Sequence, residues 1–299
     1  MNKRKIIIAL IIPLLICCFY TTNINAKSTF VSNEYETLIK ELELAKSNYQ
    51  LSRSSAAQKE VSEAENKIQG FKKHVYSLKN KSIEELSFYG YNDSQIEAIK
   101  AYDGSSEMST RSSAVVEAEA TPKTFSYNSS TNITTVEAEV TFTWSGIPAY
   151  HYTNAVALGY EADNNHNFQK ITAASGEVTY KEFVAVHDTR TSIENAYKYG
   201  DTGVNGSYAF TFPVRKDGVV YSTYLSSGTF SAVGKVSGNL SYFNFRFLYA
   251  YRTSYLAVDF GINISNPVSG SINLSVKDKW TAFPTNGNDR YETYEKGDV

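Results

Sequence analysis

The side chains that most often carry chemistry are few in this chain and do not converge along it. Its four histidines are His74, His151, His166 and His187. Acid–base catalysis and zinc ligation need such groups to converge, often at helical or turn spacing. No His-x-His or His-x-x-x-His pair occurs, and only His187-Asp188 sets an imidazole next to an acid, with His151 and Asp163 as distant partners. Surface or strand-end histidines are the default reading, so neither a metal site nor a catalytic residue is assigned. Asp163, Asn165 and Asn167 occupy the first three ligand positions of a calcium loop. However, Phe168 stands where the turn glycine belongs and Ala174 where the closing glutamate belongs, and such a loop is not expected to close around an ion. No Gly-x-Ser-x-Gly elbow presents a serine nucleophile. Gly200, Gly203 and Gly206 are spaced by threes, which fits neither dinucleotide nor P-loop phosphate binding, so no cofactor is expected. Glu137 and Glu139 share one side of a strand and read as solvated charge. An extracellular hydrolase with paired carboxylates stays open as an alternative, because such pairs meet only in three dimensions.

Aromatic residues are the most unusual feature, with 23 Tyr and 16 Phe against only two Trp. They are densest in Tyr150-His151-Tyr152 and in the run from Tyr242 through Tyr249 to Tyr251. Exposed tyrosines combine a flat apolar body with a polar tip and so favour sugar or partner binding. Tyr150, His151, Tyr152, Tyr242, Tyr249 and Tyr251 are therefore the candidate binding surface. The competing reading is that the tyrosines fill and edge a β-sheet, as their strand propensity predicts.

The elements that would hold these residues change character along the chain. Residues 27–104 read as helical. Tyr35, Leu38, Leu42 and Ala45 recur at steps of three and four, as do Val61, Ala64, Ile68, Phe71 and Val75 after a Ser-rich break at Ser52 to Ala57. This predicts a helical hairpin. Ser82 with Glu85, and Asn92 with Gln95, open two further short helices in capping-box fashion, and Gly90 supplies a left-handed stop. Residues 105–121 are small or polar and read as a linker, or as a segment a protease could cut. From 122 to 299 the period becomes two. Val136, Ala138, Val140, Phe142 and Trp144 alternate with Thr135, Glu137, Glu139, Thr141 and Thr143. Similar runs with turn signals between them predict an antiparallel β-sandwich, with a β-barrel as alternative. The fold class is thus α+β.

The N-terminus has the order of a secretory leader: Lys3, Arg4 and Lys5, an apolar run from Ile6 to Cys18, then a polar stretch ending at Ala26. That run is too short to span a bilayer as a helix, which takes about 20 residues. Cleavage near Ala26 would deliver the chain outside the cell. It would remove Cys17 and Cys18, the only cysteines, and leave no disulfide or thiolate metal site. A lipid anchor on Cys17 is not expected, because Ile16 precedes it. The formal net charge of −2 becomes more negative by the charges of Lys3, Arg4 and Lys5. A mildly acidic chain without a basic block has no electrostatic reason to bind nucleic acid.

FYGYNDSQIEAIKAYDGS (Phe88 to Ser105) resembles a segment in secreted proteins of Gram-positive bacteria, where a Gly-Tyr helix start and a Gln-Ile helix lead to Asp-Gly-Ser. VTFTWSGIPAYHYTNAVALGYEA (Val140 to Ala162) is similar to the strand pair that follows in them. The resemblance covers about half of the mature chain. It implies an N-terminal helical region, a C-terminal β domain and, in some members, a bacteriocin-like role. It supplies no catalytic residues. The expected function is a secreted, non-enzymatic protein that recognises another cell, a cell-wall polymer or a protein. A membrane-permeabilising β toxin is the alternative, because alternating strands such as Thr135–Trp144 have the roughly ten-residue length of a membrane strand.

Overall fold

The computed structural model describes residues 28–150, 153–162, 170–199, 207–218, 221–252, 262–265, 273–276, 280–283 and 290–295. Residues 1–27, His151, Tyr152, Asp163, Asn165, His166, Asn167 and residues 200–206 lie outside them.

The described residues open with strand β1 (Ser28–Asn33), which leads straight into the helical hairpin α1 (Glu34–Ser52) and α2 (Ser55–Leu78). Three short helices follow, α3 (Ile83–Phe88), α4 (Asp93–Lys100) and α5 (Ser106–Arg111). Ser82 caps α3 by accepting from the Glu85 N–H, and Asn92 and Gln95 form a complete capping box on α4. The hairpin buries Leu38, Ala45, Ala64, Ile68, Phe71 and Val75, the stripe that the steps of three and four predict.

The next strands are β2 (Val115–Asn128), β3 (Ile133–Ser145), β4 (Thr153–Ala162), β5 (Lys170–Ala185), β6 (Asp188–Asn195), β7 (Tyr197–Tyr199) and β8 (Ser207–Pro213). They are followed by β9 (Arg215–Asp217), β10 (Ser222–Ser237), β11 (Tyr242–Arg252), β12 (Ile262–Ser265), β13 (Asn273–Val276), β14 (Trp280–Phe283) and β15 (Arg290–Glu295). Among the described residues every strand pair is antiparallel. One sheet runs β1-β2-β3-β10-β5-β6, with β9 also on β10; the other runs β14-β11-β4-β8-β7, with β15 also on β11; β12 and β13 form a separate pair.

The two large sheets face each other across an aromatic core. Val136, Ala138, Val140, Phe142 and Trp144 of β3 are all buried, as the alternation requires, against Phe243, Phe245, Phe247 and Tyr249 of β11. Along β4, Ala155, Val156, Ala157, Leu158 and Tyr160 are all fully buried, so both faces of that strand are covered and the alternation is lost. At the opposite border, all eight residues of edge strand β6 are exposed.

Residues 105–121 are not a linker. Their first part is α5, whose Ser109, with Ser112 and Ser113 just beyond it, is buried and hydrogen-bonded. Their second part is the start of β2, where Ala114, Val116, Ala118 and Ala120 enter the sandwich core. On its far side β2 also pairs with β1, so the helical region is stitched into the sheet at both of its ends.

Candidate functional site at the seam between helices and sheets

The corner from β3 to β4 crosses from one sheet to the other through Gly146, Ile147, Pro148, Ala149 and Tyr150, and the helical module grips it residue by residue. Gly146 has φ 99°, and a Cβ there would lie 2.5 Å from a ring carbon of Tyr91, so only glycine fits. Its N–H donates to the Tyr89 carbonyl at 2.8 Å. The Tyr91 hydroxyl accepts from the Ile147 N–H at 3.0 Å and donates to the Ile147 carbonyl at 3.2 Å. His74 Nε2 also lies 2.9 Å from that carbonyl. The Ala149 N–H donates to both carboxyl oxygens of Glu34 at 3.0 Å, and the Tyr150 N–H to Oε1 at 3.4 Å. Finally, the Tyr150 hydroxyl donates to the Lys67 carbonyl and passes over Gly70, where a Cβ would sit 3.1 Å from it.

Glu34 is the first residue of α1, after the Asn33 cap whose side chain accepts from the Glu36 N–H. Its own N–H donates to the Ala114 carbonyl at 3.1 Å, while the neighbouring Tyr35 N–H donates to Ser113 Oγ at 3.0 Å. These bonds fix the helix start against the start of β2. Burial pushes the Glu34 carboxyl up to about 7, against the opposing pull of the Ala149 and Tyr150 N–H groups. Burial likewise raises the Tyr91 phenol, and raises Tyr89 to about 12. Among the described residues no group of three or more His, Cys, Asp or Glu gathers to hold a metal. With both oxygens turned to backbone N–H groups, Glu34 is a carboxyl that fastens two parts of the molecule. Nothing in the sequence singles it out.

The tyrosines proposed as one binding surface separate. Tyr150 is half-buried in the seam. Tyr249 is fully buried, and its hydroxyl accepts from Trp144 Nε1 at 2.7 Å and from Asn154 Nδ2; the inward side of a core strand takes it out of any exposed surface. Tyr242 is half-exposed at the start of β11, opposite Glu295. Tyr251 pairs along the backbone with Asn154 and Thr281, its side chain outside the description, as are His151 and Tyr152. His187 and Asp188 lie exposed at the β5–β6 turn, with Asp188 3.3 Å from Arg190.

A second surface is built by the outward residues of the first sheet. Cross-strand rows read Glu117, Thr143, Ser227, Thr179, Ile193, then Glu119, Thr141, Thr229, Glu177, Asn195, then Thr121, Glu139, Ser231, Ser175. Thr141 and Thr229 share a hydrogen bond at 3.3 Å, Ser175 and Ser231 one at 2.8 Å, and Glu139 pairs with Lys123 at 3.0 Å. Glu137 accepts from Thr124 at 3.3 Å. At one end this face is roofed by the helical module. There Phe183 of β5 lies against Phe88, and Tyr224 of β10 meets Tyr89 edge-on at 5.4 Å.

Fold and site together define an α+β protein in which a helical module clasps one end of a two-sheet antiparallel sandwich. No protein-family model matches the chain, and no curated protein matches it either. Among solved structures, Clostridium perfringens delta-toxin overlaps with a TM-score of 0.25 at 10% identity, over 62% of this chain and 84% of that chain. The NetB toxin of Clostridium perfringens in its membrane-inserted form overlaps with a TM-score of 0.23 at 7% identity, over 60% and 88%. AvmM, described as catalysing macrocyclization in alchivemycin A biosynthesis, overlaps with a TM-score of 0.23 at 11% identity, over 58% and 95%. TM-scores of this size assign neither a family nor an activity to the chain.

Proposed function

We propose that the protein is exported and acts without catalysis through its surface on another cell, a cell-wall polymer or a protein, as a bacteriocin-like antagonist does. The observation that carries this reading is the hydroxyl-and-carboxylate face of the first sheet. It is a broad array of Thr, Ser and Glu side chains held in register by β2, β3, β10 and β5. Such an array offers many donors and acceptors at fixed spacing to a polar polymer. The leader-like N-terminus supports export, and the resemblance to secreted proteins of Gram-positive bacteria supports the antagonist role.

Membrane permeabilisation is the second reading, favoured by strand length. β5 and β10 each run 16 residues and β2 runs 14, beyond the roughly 9–11 that a spanning strand needs, and they carry apolar and polar faces in alternation. The chain lacking residues 1–26 separates the readings. Retention on isolated cell walls and growth inhibition of related bacteria, without dye release from liposomes, is the expected result. Dye release at the inhibitory concentration would transfer support to the second reading, and inactivity in all three assays would remove both.

A further inference from the structure

The three cross-strand rows on the wet face of the first sheet carry Thr, Ser, Glu and Asn. Their one apolar member is Ile193 at the border, and no Lys, Arg or aromatic side chain rises from them. In the middle row Glu119 on β2, Thr141 on β3, Thr229 on β10 and Glu177 on β5 stand side by side. Hydroxyls bonded in pairs, Thr141 with Thr229 at 3.3 Å and Ser175 with Ser231 at 2.8 Å, hold neighbouring strands' side chains in line. Neighbouring strands lie about 4.8 Å apart, so the four positions of a row repeat at that step over about 14 Å. Along a strand the same-face step is longer, about 6.8 Å.

One class of polymer shares the shorter step. In an extended β-linked glycan each sugar advances the chain by nearly the distance between two strands and presents hydroxyl groups at every step. The geometry points to a single uncharged chain of this class as the ligand of the face. It lies across β2, β3, β10 and β5 with one sugar over each strand. The inference rests on the surface-recognition reading above and gives its polymer a chemical class.

The chemistry of the rows fits such a chain. A Thr or Ser hydroxyl both donates and accepts, while an ionised carboxylate only accepts, on two oxygens. The middle row has a carboxylate at either end and hydroxyls between, so neighbouring hydroxyls of a sugar find acceptors at Glu119 and at Glu177. A polymer bearing phosphates or uronates meets like charge at both ends. Twist turns neighbouring strands by about 20–25°. The row therefore suits one chain that can turn about its linkages, and not the flat face of a glycan crystal. An α-linked glycan curls away from a straight row.

Soluble oligomers of β-linked N-acetylglucosamine test the fit, titrated length by length into the chain lacking residues 1–26, with α-linked glucose oligomers as the comparison series. Affinity should rise by about two- to tenfold with each added β-linked sugar and level off at about four or five, when the row is full. The α-linked series should show no such rise. A rise that continues past about five lays the chain along the strands, and equal behaviour of the two series removes the match of spacing; either result overturns the inference. Thr141→Val and Thr229→Val together keep the branched shape and strand preference while stripping the middle hydroxyls. This pair should weaken the four-sugar oligomer by roughly tenfold, with amide exchange of β3 and β10 unchanged; unaltered affinity in the folded variant overturns the inference too. Should the variant fail to fold, the length profile of the unsubstituted protein decides. A flat β-linked series while isolated cell walls still retain the protein removes the glycan and leaves surface recognition standing. Failure on both removes the two together.

Discussion

Between the two sheets Phe230 touches Phe210 and Phe212 with ring centroids 5.4 Å apart and Phe142 at 6.2 Å. At the seam the contacts are of another kind: a phenol holding both backbone groups of Ile147, an imidazole on the same carbonyl, and a carboxyl on two N–H groups. Apolar packing carries no charge and little directional demand, so the sandwich interior should be indifferent to pH and sensitive to lost volume. Directional bonds are worth little net while made and cost more when one partner is removed. The molecule therefore has an interior that resists and a seam that can answer a small chemical change.

Substitutions can break or sharpen that contrast. The largest effect is expected from Phe230→Ala, which leaves a cavity among three other Phe rings and should cost about 3–5 kcal/mol in denaturant unfolding, equally at acid and neutral pH. A strong pH dependence of that loss would erase the distinction. Tyr91→Phe comes next. It strips the hydroxyl from both Ile147 groups and should cost about 1–3 kcal/mol, read as faster amide exchange at the corner with the strands of the first sheet still protected; uniform loss of protection would show one cooperative interior. Asn92→Ala should cost about 1 kcal/mol by removing the cap of α4, and urea unfolding should show this loss as the smallest of the three.

Much of this architecture is legible in the sequence where a local rule acts alone. Asn92 and Gln95 cap a helix because the two residues satisfy each other's backbone, and Gly90 takes φ 90° at the end of α3. Val136 to Trp144 alternate because one face of β3 is wet. The segment 105–121 carries weaker signals. Val116, Ala118 and Ala120 do alternate with Glu117 and Glu119, but alanine is a faint apolar signal, and their place is set by pairing with Val140 to Trp144 on β3 and with β1 on the other side. Tyr249 illustrates the opposite limit. Phe243, Phe245, Phe247 and Tyr249 show one period, and only the partner sheet decides that the last of them is interior. Glu34 has no motif at all. Its burial depends on a corner more than a hundred residues downstream, a distance no local pattern spans.

The border of β6, unpaired among the described residues, bears on how copies of the chain treat one another. An unpaired strand is a template on which a like strand can lie down. Here Asp188, Arg190 and Glu194 stand on one side of it, all in water. An arriving backbone would have to strip the solvent from those charges before making its first bond. Pairing of two copies along this strand would carry that desolvation cost.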